Sequence, residues 1–176
     1  IRKKIMEVLD IGYKRILEFA TIAHEGQKRK YTDDDYIIHP IAVARLVQAQ
    51  DGDDNMVYAA LLHDVLEDTS INHTQMRTML HNILSVEAAE DVLSLVVELT
   101  DVFTKEAFPH YNRKTRKQFE SLRLAYVSDR AKAIKRADIE HNSESILDHD
   151  PKFAKVFLKE KKDLLEKMSL KVAITK

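Results

Sequence analysis

Apolar positions recur at three- and four-residue spacing along most of the chain, the period of helices that bury one face. In "KKIMEVLDIGYKRILEFATIAH", Ile5, Leu9, Tyr13, Ile16, Leu17 and Ala20 fall on one stripe. "HPIAVARLVQAQ" follows, with Pro40 suited to a first helical turn, where a missing N–H costs no hydrogen bond. "DGDD" reads as a turn, and "NMVYAALLHDVLED" begins the next helix. "TSINHTQMRTML" reads as a short capped helix. "SVEAAEDVLSLVVELT" opens on Ser85 as N-cap, with Glu87 and Glu90 near its positive end. "FPHYNRK" interrupts the period, which resumes near Lys114. "SDRAKAIKRADIEHNSESI" starts on a Ser-Asp cap, "DHDP" stops it, and a charged amphipathic segment completes the chain. The pattern predicts an all-α bundle of about seven to nine helices, with no strand, repeat or linker. At 176 residues it is expected to form one domain, 1–176.

Composition narrows the function classes. Apolar residues make up 44%, enough for a packed core, and three Gly and three Pro argue against turn-rich β organisation. The formal net charge of -1 offers no whole-chain basic field for a nucleic acid polymer. Cysteine is absent, so any metal must be held by His, Asp and Glu. No apolar run reaches the roughly 18 residues of a membrane span, and no secretory leader is visible. The expectation is a soluble cytoplasmic protein with no membrane partner.

One stretch concentrates ionisable groups. "AALLHDVLEDT" begins as an apolar helix face and then carries His63, Asp64, Glu67 and Asp68. Desolvating that many charges is costly unless they are paired or bound to metal. On a helix, Glu67 falls one turn beyond His63, and Asp68 one turn beyond Asp64. Alone, the patch is equally a solvated helix end. Two distant features add weight: His39 in "YIIHP", and Asp138 in "AIKRADIEHN", flanked by Ala133, Ile134 and Ala137 with Asn142 a turn later. Two His and two Asp suit a borderline divalent ion such as Mn²⁺, Fe²⁺ or Zn²⁺ with positions left for water.

The order H…HD…D resembles the HD superfamily of metal-dependent phosphohydrolases. "AHEGQKRK", "YIIHP", "ALLHDVLEDT", "ELTD" and "RADIEHN" together look like the hydrolase domain of the RelA/SpoT alarmone enzymes, and most like the small stand-alone ppGpp hydrolases. The similarity spans about residues 10 to 170. It implies an all-helical fold and Mn²⁺ as the cofactor, held by His39, His63, Asp64 and Asp138. It also implies that Glu67 and Asp68 position or activate the attacking water, and that Arg29, Lys30 and Asn142 lie along the nucleotide. The implied reaction releases pyrophosphate from the 3′ position of (p)ppGpp, leaving GDP or GTP. The acidic trio of "TDDDY", and Ile139, Glu140 and Glu144 in "ADIEHNSES", depart from the family pattern. They keep open a generic HD phosphohydrolase acting on another nucleotide. A non-catalytic nucleotide-binding protein is a further alternative, although it would have no need of the water-activating pair.

Overall fold

In the computed structural model, the backbone is described for residues 2–169 and the side chains for residues 11–169, so Ile5 and Leu9 of the first stripe lie outside the described side chains. Nine helical segments and no strand occur among the described residues. The chain divides into two compact units, residues 1–100 and 101–176.

The first unit holds α1 (Arg2–Ala23), α2 (Ile38–Ala49), α3 (Asp54–Leu62), α4 (Val65–Asp68), α5 (His73–His81) and α6 (Val86–Leu99). Its centre is α3, which touches α1, α2 and α6. Met56 to Leu62 are all buried, as expected of a helix that is apolar on every side. The Asp53 side chain accepts from the Met56 N–H and starts this helix. Asn55 on α3 donates to Asp91 on α6 at 2.7 Å, giving the apolar contact one polar register mark. Ser85 caps α6, as its sequence predicts. Glu90 does otherwise, pairing with Arg77 (2.7 Å) and His81 (2.6 Å) of α5. α5 starts with a full capping box between Asn72 and Gln75.

The second unit holds α7 (Arg113–Leu124), α8 (Asp129–His149) and α9 (Pro151–Ser169). α9 packs on both α7 and α8, around Leu124, Ile139, Leu164 and Met168. Ile139 therefore serves the core. α7 starts one residue earlier than its periodicity suggests, because the Asn112 side chain caps it through the Thr115 N–H. Ser128 caps α8.

One expectation needs correction. The run through "LLHDVLED" is not one continuous helix: α3 ends at Leu62 and α4 begins at Val65. The His63 ring sits 2.8 Å from the Ala60 carbonyl oxygen, the acceptor a continuing helix would offer to the Asp64 N–H. The break is slight, since the Asp68 N–H still reaches the Asp64 carbonyl at 2.8 Å.

Candidate metal centre

A folded-back segment delivers the first candidate ligand. After α1, Gly26 takes φ 77°, a left-handed conformation that glycine adopts without strain. The chain then doubles back, with the Arg29 N–H on the Asp34 carbonyl (2.8 Å) and the Tyr36 N–H on the Gln27 carbonyl (3.0 Å). Lys28 pairs with Asp35 at 2.8 Å, and that contact raises the Lys28 pKa. One charge of the acidic trio is thus answered within the segment. The returning arm of this loop sets Tyr36 one turn ahead of His39 at the start of α2.

His39 and His63 are buried, and Asp64 is partly buried. One nitrogen of each ring and one oxygen of Asp64 lie within 4.8 Å of one another. Asp64 Oδ2 is 3.0 Å from His63 Nε2 and 3.6 Å from His39 Nε2. The Ala60 carbonyl can only accept, so His63 Nδ1 carries a proton and donates to it. In the neutral ring, Nε2 then presents a lone pair. It faces a carboxylate oxygen, so two acceptors confront each other. A cation between them resolves the conflict, and a histidine that donates its other nitrogen to a carbonyl is the usual metal-ligating form. These three residues fit a divalent ion, and the absence of thiolate favours one of borderline character.

Tyr36 was not evident from sequence. Its hydroxyl donates to Asp64 Oδ2 at 2.6 Å, and its ring lies between those of His24 (4.8 Å) and His39 (5.9 Å). Gln27 and His24 form a further support. The Gln27 amide donates to the Asp68 carbonyl at 2.7 Å, which fixes its oxygen toward His24 Nδ1 at 2.9 Å. Nδ1 therefore holds the proton, and buried His24 Nε2 is left as an unsatisfied acceptor. The only sequence signal for these roles is spacing: His24 to Gln27 and Tyr36 to His39 are each three residues apart.

Glu67 and Asp68 are exposed at the end of α4. Partial burial of the carboxyl, and then the Asp64 charge, raise the Asp68 pKa above its ordinary value. A carboxylate shifted upward is a better proton acceptor near neutral pH. Arg29 lies over the Tyr36 ring (5.8 Å) and Lys30 over the Tyr31 ring (4.9 Å), so both are held by cation–π contacts.

Asp138 and Asn142 belong to the second unit. Asp138 is buried on α8, and both its oxygens are engaged, with Asn142 Nδ2 at 2.7 Å and Lys135 Nζ at 2.9 Å.

The HD domain family model matches residues 17–168. The chain belongs to the HD-domain family. Among relatives of this HD domain, a probable guanosine-3′,5′-bis(diphosphate) 3′-pyrophosphohydrolase of Synechocystis is 31% identical over 157 residues, 89% of this chain and 19% of the relative. The guanosine-3′,5′-bis(diphosphate) 3′-pyrophosphohydrolase MESH1 of Xenopus tropicalis is 34% identical over 127 residues, 70% of this chain and 63% of that protein. The chain thus spans less than two thirds of either relative. A solved structure described as a metazoan ortholog of SpoT that hydrolyzes ppGpp matches with a TM-score of 0.75 and 25% identity, covering 90% of this HD domain chain and 85% of that one.

Proposed function

We propose that residues 1–176 work as one HD-type hydrolase domain that removes the 3′-pyrophosphate of guanosine alarmones, (p)ppGpp, with Mn²⁺ as the ion. The observation that carries the metal assignment is the convergence of one nitrogen each of His39 and His63 and one oxygen of Asp64, all within 4.8 Å of one another. His39, His63 and Asp64 hold the ion, and Asp138 is the fourth ligand. When bound, a divalent ion lowers the pKa of water and offsets charge on phosphoryl oxygens. Tyr36 fixes the Asp64 carboxylate by its hydrogen bond. Glu67 and Asp68 orient the attacking water and accept its proton. Arg29 and Lys30, held by their tyrosines, meet the nucleotide's negative charge, and Asn142 orients it. The substrate assignment is supported by the names of the relatives and by the described activity of the structural neighbour. The proposed setting is the cytoplasm, with a nucleotide as the partner.

A second reading is favoured by Asp33 and Asp34, exposed in the same folded-back segment as Arg29 and Lys30. They would disfavour an additional pyrophosphate beside them, and point to a less highly phosphorylated nucleotide. Product analysis separates the two. With Mn²⁺ and ppGpp, GDP plus intact pyrophosphate is expected. Orthophosphate as the sole released product, with simple nucleotides turned over faster, would transfer the assignment to the generic phosphohydrolase.

A further inference from the structure

The two units carry opposite charge. Residues 1–100 contain 10 Lys and Arg against 17 Asp and Glu, whereas residues 101–176 contain 18 against 12. Within the second unit the basic residues frame two adjoining concavities. A groove of about 720 Å³ runs between α7 and α9, bordered by Arg113, Lys114, Lys155, Val156 and Lys159. A recess of about 40 Å³ adjoins it, sharing Lys117 and Glu160, and is lined further by Lys135 and Lys161.

The recess contains more positive charge than its carboxylates answer. Lys117 pairs with Asp101 at 2.9 Å and Lys135 with Asp138 at 2.9 Å. Glu120 is committed to Arg123 and to the N–H groups of Val102 and Phe103. Glu160 is committed to Arg113 at 2.9 Å. Lys161 is left over: it is half-buried, and its neighbours are the Phe157 ring 5.1 Å away and, without a direct ion pair, the charges of Asp138 and Asp101, each already paired with another lysine. Burial, and then the neighbouring Lys135, push its pKa down to about 8, so it is still mostly charged at neutral pH. A partly desolvated charge that only shares the carboxylates of its neighbours is costly, and an anion in the recess offsets that cost. Roughly three water-sized volumes fit there, enough for the three terminal oxygens of a phosphate group. The groove is of a size typical of small-molecule clefts.

We propose that the recess and groove of the second unit form a binding site for a phosphate-bearing small molecule. Its phosphate lies against Lys161 and Lys117, and its body runs along the groove past Lys155 and Lys159. None of these residues is among the candidate metal ligands or nucleotide contacts, so the site does not depend on the proposed hydrolase function.

The test is calorimetric titration of the full chain with inorganic phosphate at low ionic strength, where surface charge is least screened. Lys161→Met keeps the bulk of the buried stem and removes the charge, and should weaken phosphate binding about tenfold or more. Lys155→Glu/Lys159→Glu reverses the charge at two exposed positions of the adjoining groove and should also weaken phosphate binding, through the lost positive potential at low ionic strength, which decides the matter if Lys161→Met does not fold by circular dichroism. Asp64→Ala, which disables the candidate metal centre, should leave phosphate binding intact. Absence of phosphate binding to the unmodified chain would overturn the proposal. So would binding that survives the lysine substitutions, or binding that disappears with Asp64→Ala.

Discussion

His63 connects two levels of the structure through one ring. Its Nδ1 ends α3 at Ala60 and its Nε2 is thereby left facing Asp64, so the helix break and the ligand geometry have one cause. His63 and Asp64 were legible in sequence as ionisable groups at the end of an apolar run, and His39 as a lone histidine between apolar residues; these three the structure brings together. Tyr36, His24 and Gln27 were not legible, because their contacts depend on the doubled-back path from residue 26 to residue 37, which periodicity does not reveal. Glu67 is exposed, so substitution there should spare the fold. Glu67→Gln should leave metal content unchanged and lower turnover by about 10²–10⁴-fold, the usual cost of a lost general acid or base. Equal turnover at saturating Mn²⁺ would remove Glu67 from the mechanism. Lys161 makes a different prediction. Its folded pKa of about 8 lies below its ordinary 10.5, so between those values the unfolded chain binds more protons and stability rises with pH. Lys161→Met should raise the urea midpoint near pH 7, with a gain of order 1 kcal/mol, and flatten the rise between pH 8 and 10.5. A variant with the same pH slope as the parent would show that Lys161 is not the group responsible.

At the scale of elements, caps and the break before α7 were legible, but what orders that break was not. Ser85 and Ser128 start α6 and α8 where a cap residue precedes an apolar run, since the signal is local and chemical. The segment before α7 gave no period, yet it is ordered by two devices. Phe103, Phe108, Tyr111 and Phe119 form a chain of ring contacts with centroids 4.9–5.8 Å apart, in the range of favourable aromatic pairs. Glu120, buried in α7, accepts the Val102 and Phe103 N–H groups at 3.1 Å each. Hydrogen bonds to a charged group contribute about 1.5–3 kcal/mol each, so Glu120 matters more to this segment than any one ring. Glu120→Ala should expose residues 101–112 to limited proteolysis and accelerate their amide exchange, while amides of α3 keep their protection. Cleavage no faster than in the parent would assign the order of this segment to the aromatic contacts alone.

At the scale of the whole molecule, the helical class followed from one consistent period, whereas the partition into two units did not. No glycine-rich linker marks the junction at residues 100–101. The opposite charges of the units were likewise hidden by a total near zero. The partition bears on the metal assignment, because three candidate ligands belong to the first unit and Asp138 to the second. Thermal unfolding can decide whether Asp138 is a ligand. An ion that binds only the folded chain stabilises it by about 2.7 kcal/mol at a hundredfold excess over its dissociation constant. For a chain of this length that corresponds to a rise in Tm of roughly 5–10 °C. The unmodified chain should show that rise with Mn²⁺, and Asp64→Ala should lose it. If Asp138 is the fourth ligand, Asp138→Ala should lose most of it as well, even though the substitution also leaves Lys135 without its 2.9 Å partner. That side effect lowers Tm with and without the ion alike, so the difference between the two melts isolates ligation. An Mn²⁺-induced rise in Asp138→Ala as large as the parent's would restrict the ion to His39, His63 and Asp64.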